Sequence, residues 1–470
     1  MKNKNENTID PRRNLPSVSV LLETQEVKKM IAIFSRPIVL DAINETLNHY
    51  RESLKQGDSL PDTPQILQNI ENNLFNNQLD RIRPVVNATG IILHTGLGRA
   101  VLPQNAVDSL SGLNKCCNLQ IDLETGLRGK RNYMTEFLLC KITGAEAAMV
   151  VNNNAAATFL ILSALCKDKE VVVSRGQLIE IGGSFRLPDC ISQSGAKLIE
   201  VGTTNKTHLR DYETALSENT AAILKVNPSN YRIVGFTKEV STAELVSLKE
   251  KRDIIIIDDL GCGALVDLSQ YGLPKEPTVQ EGIAAGADIV CFSGDKLISG
   301  PQSGIIVGKK KLIDKIKKHP LSRMLRAGKL TDTALEQTLR LFLEPEKLID
   351  TNPTIRMLAL KPDVLKKRAE KLIRAIKNKN ISLNIKIKEG ESEVGGGSLP
   401  DVALKTYLLE ISHDTTSADK LNLLLRKNEP PIIARISENK VVMDMRTLLD
   451  GDDEIIVQAL KKISEEQDVR

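Results

Sequence analysis

Between about residues 140 and 310 the chain repeats one texture, a short run of β-branched and other apolar residues followed by a segment with helical spacing. Such alternation predicts strands joined by helices, and runs without a polar break, such as Ile254–Ile257, predict strands buried on both faces. A mostly parallel sheet covered by helices on both sides satisfies both demands. The expected strands are Ala148–Val151, Glu170–Ser174, Lys197–Val201, Ala222–Val226, Asp253–Asp258, Asp288–Phe292 and Gly304–Val307. Ligands of such sheets gather at the carboxyl ends of the strands, so chemistry is to be sought there.

The flanks read differently. Residues 1–14 are rich in Asn and Lys and are expected to be disordered at the start. From Ser35 a helix is signalled by a possible cap, by Pro37 in the first turn and by Val39, Ile43, Leu47, Tyr50 and Leu54 at helical spacing, with Gly57 as its stop. A second helix near 63–80 completes a small N-terminal helical module, set off by Arg83-Pro84. Beyond about 350, a basic helix at Pro362–Lys377 leads to strands near 383–389, 402–411, 431–436 and 440–445. The expected domains are a helical module over 1–80, a large α/β domain over 81–345 and an α+β domain over 346–470. A chain of 470 residues exceeds what one core sustains.

Several function classes lose support. The net charge of +4 balances 64 basic against 60 acidic side chains, so an anionic partner has to be met by a local patch. Seven cysteines, at 116, 117, 140, 166, 190, 262 and 291, lack CxxC pairing and read as reduced core thiols of a cytoplasmic protein. The five histidines show no ligand spacing, so no metal is expected. The segment MKNKNENTID has no apolar core and no stretch approaches a bilayer span, so neither export nor membrane insertion is expected.

Three strand ends carry chemistry. Cys291-Phe292-Ser293-Gly294-Asp295-Lys296 is a strand entering a small turn that ends in lysine. A lone lysine there is ordinarily a solvated charge, and the SxxK of serine acyl-enzymes lacks its SDN and KTG companions here. Earlier in the chain the run Ile254–Ile257 ends in Asp258-Asp259, and an aspartate at a buried strand terminus can pair with a pyridinium nitrogen and keep that ring protonated. Asp259 is assigned that role, against a helix cap or turn as the plain alternative. Val150 to Ala157, with Asn152, Asn153 and Asn154, turns a strand into a helix start whose N–H groups and dipole suit a phosphate, and Ser293 could add a hydrogen bond. Phosphate cradle, pyridinium partner and lysine follow the chain order of aspartate-aminotransferase-like (fold type I) enzymes that use pyridoxal 5'-phosphate.

With these residues in place the chain resembles the selenocysteine synthases, the L-seryl-tRNA(Sec) selenium transferases of bacteria. The matching stretches are Pro84–Ala100 (PVVNATGIILHTGLGRA), Gly144–Asn154, Ser174–Arg186 (SRGQLIEIGGSFR), Gly202–Thr207, Leu260–Pro277 and Phe292–Lys310 (FSGDKLISGPQSGIIVGKK), with His319–Leu330, Gly395–Pro400 and Pro431–Thr447. The resemblance implies that Lys296 holds the cofactor as a Schiff base and that Arg99, Arg323 and Arg326 form an anion pocket for a phosphate-bearing selenium donor, as guanidinium forks would. A solvated basic face is the plainer reading of Arg323 and Arg326. Gly96, Ser299 and Gly328 depart from the family pattern, which has asparagine, glycine and aspartate there.

The implied reaction converts L-seryl-tRNA(Sec) to L-selenocysteinyl-tRNA(Sec) with selenophosphate, by β-elimination to an aminoacrylyl-tRNA and addition of selenium. Hydroxide departure needs a general acid, either Lys296 or a bound water. Arg435, Gln177 and Glu180 stay open between active-site and structural roles. The implied assembly is a homodecamer built from dimers, and tRNA would be met by the N-terminal module and the basic runs 309–329 and 361–379. Two other readings stand: a pyridoxal-phosphate lyase or transferase acting on a free amino acid, and a tRNA-binding protein on a retired enzyme fold.

Overall fold

A computed structural model describes residues 15–55, 59, 61–78, 82–379 and 381–468. The segment 1–14 and Gly57, for which the sequence suggests a disordered start and a helix stop, lie outside the described residues. The chain divides into two compact units, Met1–Pro84 and Val85–Arg470.

The first unit is helical: α1 (Val18–Leu22), α2 (Gln25–Phe34), α3 (Arg36–Lys55) and α4 (Thr63–Gln78). Ser17 and Thr24 cap α1 and α2 by accepting from Val20 N–H and Val27 N–H. Leu21, Val27, Val39, Ile43, Leu47, Ile66 and Ile70 form its core. The helix expected from Ser35 is α3, yet Ser35 is not a simple cap. It closes α2 with φ at 73° while its carbonyl accepts the first bond of α3, from Val39 N–H.

The second unit is built on a seven-stranded sheet of β1 (Ala147–Val151), β2 (Glu170–Ser174), β3 (Lys197–Val201), β4 (Thr220–Val226), β5 (Ile255–Gly261), β6 (Ile289–Ser293) and β7 (Gly304–Gly308). Its spatial order is β1-β7-β6-β5-β4-β2-β3, and only β7 runs antiparallel to its neighbours. Alternation splits each strand between two cores. Val150, Val290, Phe292, Ile305 and Val307 face one, with Leu138, Leu139, Leu335 and Leu339. Val151, Ile289, Cys291 and Ile306 face the other, with Leu160 and Ile161 of helix α5 (Asn154–Leu165). This is the α/β class expected, covered on both faces. The strand expected at Asp253–Asp258 lies further along, at Ile255–Gly261, because pairing with β4 and β6 continues past Asp258. Asp258 and Asp259 thus lie within β5 and not at its terminus.

Helices α6 (Lys329–Leu341) and α7 (Pro362–Lys377) lead to a four-stranded antiparallel sheet of β8 (Asn384–Glu393), β9 (Ala403–Ser412), β10 (Arg435–Ser437) and β11 (Lys440–Asp444), in the order β8-β9-β11-β10. A buried polar knot ties this sheet to the rest. Asp444 accepts from Ser392 at 2.8 Å and Thr406 at 2.7 Å, while the Arg446 guanidinium donates to the carbonyls of Met357, Leu360 and Lys405. Gly90, at φ 79°, passes so close to Asp444 that a Cβ would overlap its carboxylate. The cysteines depart from expectation in part: Cys166, Cys190, Cys262 and Cys291 are buried, but Cys116 and Cys117 are exposed in a polar segment beside Asn114, Lys115 and Asn118.

Phe292 is fully buried on β6, and Gly263 is held so near that any side chain there would overlap the ring. The wall cannot collapse far, so Phe292→Ala should lower the unfolding free energy by about 3–5 kcal/mol. Denaturant titration of the full chain measures this, and a loss under about 1 kcal/mol would mean that the pocket refills.

Candidate active site

The carboxyl ends of β1, β4, β5 and β6 open into a cavity of about 700 Å³ lined by Asn153, Asn154, Asp259, Ser293, Lys296 and Arg99, among others. Six of the eight residues singled out from the sequence therefore share one space. Lys296 sits half-buried on the turn after β6. Gly294, two residues before it, is confined by Ser303 and Pro301, so a larger residue would push the lysine turn away from β7.

Asp258 and Asp259 face opposite sides of β5, as strand alternation requires. Asp258 accepts from Thr242 at 2.6 Å and lies 3.5 Å from Lys225, which makes it a structural carboxylate. Asp259 faces the cavity and is 7% exposed. It accepts from Asn154 Nδ2 at 2.7 Å, Thr158 Oγ1 at 2.9 Å and Gly261 N–H at 3.0 Å. Burial pushes its carboxyl above the ordinary range, against the pull of those bonds and of Lys296. Thr158 escaped the sequence reading although the signal was present: it lies four residues after Asn154, one turn along the same face of α5.

Asn153 is the N-cap of α5 and accepts from Ala156 N–H at 2.9 Å. Its side-chain oxygen is thus committed to the helix, and the amide of Asn154 is committed to Asp259. What remains toward the cavity is backbone N–H at the helix start, the Asn153 amide nitrogen and Ser293. Gly304 on β7 is required here, because a Cβ would overlap the carbonyl of Asn153.

Arg99, at φ 67°, donates from Nη1 to Asp295 at 2.6 Å, and its buried Nε has no partner among the described residues. Arg323 and Arg326 are exposed and do not line this cavity. The short helix Leu321–Met324 ends before Arg326, whose backbone bridges to Val151, so the two do not share a helical turn as expected. Gln177 is buried and accepts from Val226 N–H at 3.1 Å, Glu180 pairs with Arg186 at 2.7 Å, and Arg435 lies 3.8 Å from Asp444.

The three departures from the family pattern have local accounts. Ser299 has φ 63°, where glycine is the easy choice, and its hydroxyl compensates by donating to Val101 O at 2.6 Å and pairing with Thr354 at 2.8 Å. Gly328 is the N-cap of α6 with no side-chain bond and open space around its Cβ position, so an aspartate would fit and cap there. At Gly96 a Cβ would come within 3.3 Å of the His94 ring.

Beside Arg326, Asp332 accepts from Asn132 at 2.9 Å and Arg131 at 3.4 Å. Burial pushes its carboxyl up to about 6 against those cations. The folded chain therefore keeps a proton that the unfolded chain loses near the ordinary 3.8. The stability this contributes is present below that value and is lost as pH rises through about 6. Asp332→Asn should remove the slope: between pH 4 and 6 the unfolding free energy of the native chain should fall relative to the variant, and parallel profiles would refute the shift.

The family described as L-seryl-tRNA selenium transferase matches residues 85–449, and one described as selenocysteine synthase N terminal matches residues 12–51. The L-seryl-tRNA(Sec) selenium transferase of Clostridium botulinum (strain Loch Maree / Type A3) is 46% identical over 453 residues, covering 96% of this chain and 98% of that one. The protein of the same name from Caldanaerobacter subterraneus is 48% identical over 461 residues, covering 97% and 99%. Among solved structures, D-glucosaminate-6-phosphate ammonia-lyase aligns with a TM-score of 0.55 at 19% identity, covering 82% of this chain and 96% of that one, which shows the shared aspartate-aminotransferase-like fold. The cavity residues, the sheet that carries them and the near full-length identity converge, and the chain belongs to the L-seryl-tRNA(Sec) selenium transferase family.

Proposed function

We propose that the chain converts L-seryl-tRNA(Sec) to L-selenocysteinyl-tRNA(Sec), with selenophosphate as donor and pyridoxal 5'-phosphate as cofactor. The observation that carries this is the meeting of Lys296, Asp259 and the start of α5 in one cavity, with Asn154 Oδ1 and Arg99 Nε buried there without partners among the described residues. These groups fit the cofactor. Lys296 would hold its aldehyde carbon, Asp259 its ring nitrogen, and the Asn153 amide nitrogen, Ser293 and the backbone N–H groups at the helix start, that of Asn154 among them, its phosphate. When bound, the cofactor supplies a sink for the electron pair left on the substrate Cα.

The protein's own groups do the rest. Asp259, fixed by Asn154 and Thr158, would keep a proton at the ring nitrogen. Lys296 takes the proton from Cα and later returns it, and Lys296 or a bound water protonates the departing hydroxyl. The donor's selenium then bonds to the Cβ that lost the hydroxyl, and water cleaves its Se–P bond, so that phosphate leaves and the water consumed offsets the water released on elimination. Arg99 binds the donor phosphate, exchanging part of its pairing with Asp295 for it. Arg323 and Arg326 lie outside the cavity of their own chain, so a second copy has to bring them to its neighbour, which the homodecamer of this reading provides.

Residues 1–80 form the tRNA-reading module, 81–345 the cofactor domain and 346–470 the C-terminal domain of this reading. Phosphates of the tRNA would track the basic runs 309–329 and 361–379, although Lys309, Lys310 and Lys317 are already paired with Asp288, Asp314 and Glu136. Among the described residues no helix is long and apolar enough to cross a membrane. A cytoplasmic location belongs to the same reading.

Incubation with seryl-tRNA(Sec) and selenophosphate, followed by analysis of the esterified amino acid, tests the function directly. Unchanged serine would overturn it. The purified protein should also absorb visible light, and borohydride followed by peptide mapping should leave a pyridoxyl group on Lys296 that Lys296→Ala abolishes. An adduct on a different lysine would move the assignment. Arg323→Ala and Arg326→Ala should each retain the cofactor and lose about 1.5–3 kcal/mol of donor interaction, roughly tenfold to a hundredfold in donor dependence at saturating seryl-tRNA. Unchanged donor kinetics would return both to a solvated face.

A further inference from the structure

Asn152 stands next to Asn153 and Asn154 in the sequence, yet it does not line the cavity that they do. It follows β1, the edge strand of the seven-stranded sheet, and its bonds run to the connector between the helix Leu321–Met324 and α6. The Asn152 N–H donates to Leu325 O at 3.0 Å. Its side-chain amide, with the nitrogen toward the same segment, donates to Leu325 O at 3.2 Å and to Arg326 O at 3.1 Å. The next carbonyl, that of Ala327, accepts from Arg131 Nη2 at 2.9 Å. Arg131 is held in turn by Asp332, at 3.4 Å.

Three successive carbonyls are thus fixed by two other parts of the chain, and the connector rides on the open edge of β1 through the antiparallel bridge of Arg326 to Val151. The side chain at the centre of this clamp is treated in the opposite way. Arg326 is exposed, and its guanidinium makes no hydrogen bond or ion pair among the described residues. Water could serve the carbonyls of Leu325 and Arg326 without ordering the backbone, and ordering it costs conformational entropy. What the clamp gains is a fixed Cα for Arg326. An anion that binds there has only side-chain torsions left to order, and a preorganised guanidinium binds more tightly through the same contacts. The plainer alternative is that these bonds only join two helices.

We propose that Asn152 and Arg131 are positioning residues for Arg326: they hold the connector on β1 so that the guanidinium is aimed, before any ligand arrives, at the phosphate of the selenium donor in a neighbouring copy. The inference rests on the reading that Arg326 binds that donor. It ties the arginine that each copy lends to the strand end leading into its own phosphate cradle.

The test uses the full-length, cofactor-loaded protein with seryl-tRNA(Sec) and selenophosphate. Losing both side-chain bonds in Asn152→Ala should lower kcat/KM for selenophosphate roughly tenfold. Arg131→Lys keeps a charge for Asp332 but loses the fork that reaches Ala327 O, and should act in the same direction. Neither should change the visible absorbance or the KM for seryl-tRNA, both of which a general loosening of the fold would move. In an Arg326→Ala background both effects should vanish, because the clamp then has nothing to aim. Native donor kinetics in both clamp variants, or losses that persist in full beside Arg326→Ala, would overturn the inference. Should Asn152→Ala not fold, Arg131→Lys decides alone. If Arg326→Ala weakens donor use and the clamp variants do not, the inference alone fails. If Arg326→Ala leaves donor use native, or the native protein leaves seryl-tRNA unconverted, the underlying reading and the inference fail together.

Discussion

A carboxylate inside a sheet has to be met by donors or be neutralised, since an unpaired buried charge costs several kcal/mol. Asp259 is met by three donors, and two of them lie one turn apart on α5. That requirement couples elements distant in the chain. The helix must start where Asn154 and Thr158 can both reach β5, β1 must end just before it, and β7 must come so near that Gly304 admits no side chain. The geometry of the cavity follows from satisfying one carboxylate.

The strands of the sheet were legible because two-sided burial writes itself into sequence as unbroken apolar runs. Their ends were less so, because an aspartate breaks the run without ending the hydrogen-bonded ladder, as Asp258 and Asp259 do in β5. Which of the two meets the cavity is decided by the face each presents, a matter of strand phase that the apolar run alone leaves open. In the N-terminal unit, α1 and α2 went unread: α1 is barely more than a turn, and Lys28-Lys29 interrupts the apolar stripe of α2.

Of the cavity residues identified from sequence, Asn153, Asn154, Ser293 and Lys296 lie at a helix start or at and just after a strand end, places with local signatures, whereas Asp259 lies inside β5. Arg323 and Arg326 carry no such signature, and their spacing suggested a helical turn that stops short at Met324. Thr158 was readable by helical period once Asn154 was chosen. The pairing of Arg99 with Asp295 joins residues far apart in the chain and has no sequence pattern to betray it.

The one antiparallel strand, β7, follows β6 directly and pairs with it, so the lysine turn is the loop of a β-hairpin while β1, on the other edge of β7, comes from far upstream. Closing a short hairpin loop costs far less chain entropy than bringing β1 to β7. The lysine turn can therefore take shape from its own neighbourhood, while the helix start opposite it waits on a distant pairing. Competence to hold a ligand between them thus reports completion of the long-range topology, and a chain with only local order would have the lysine in place and nothing facing it.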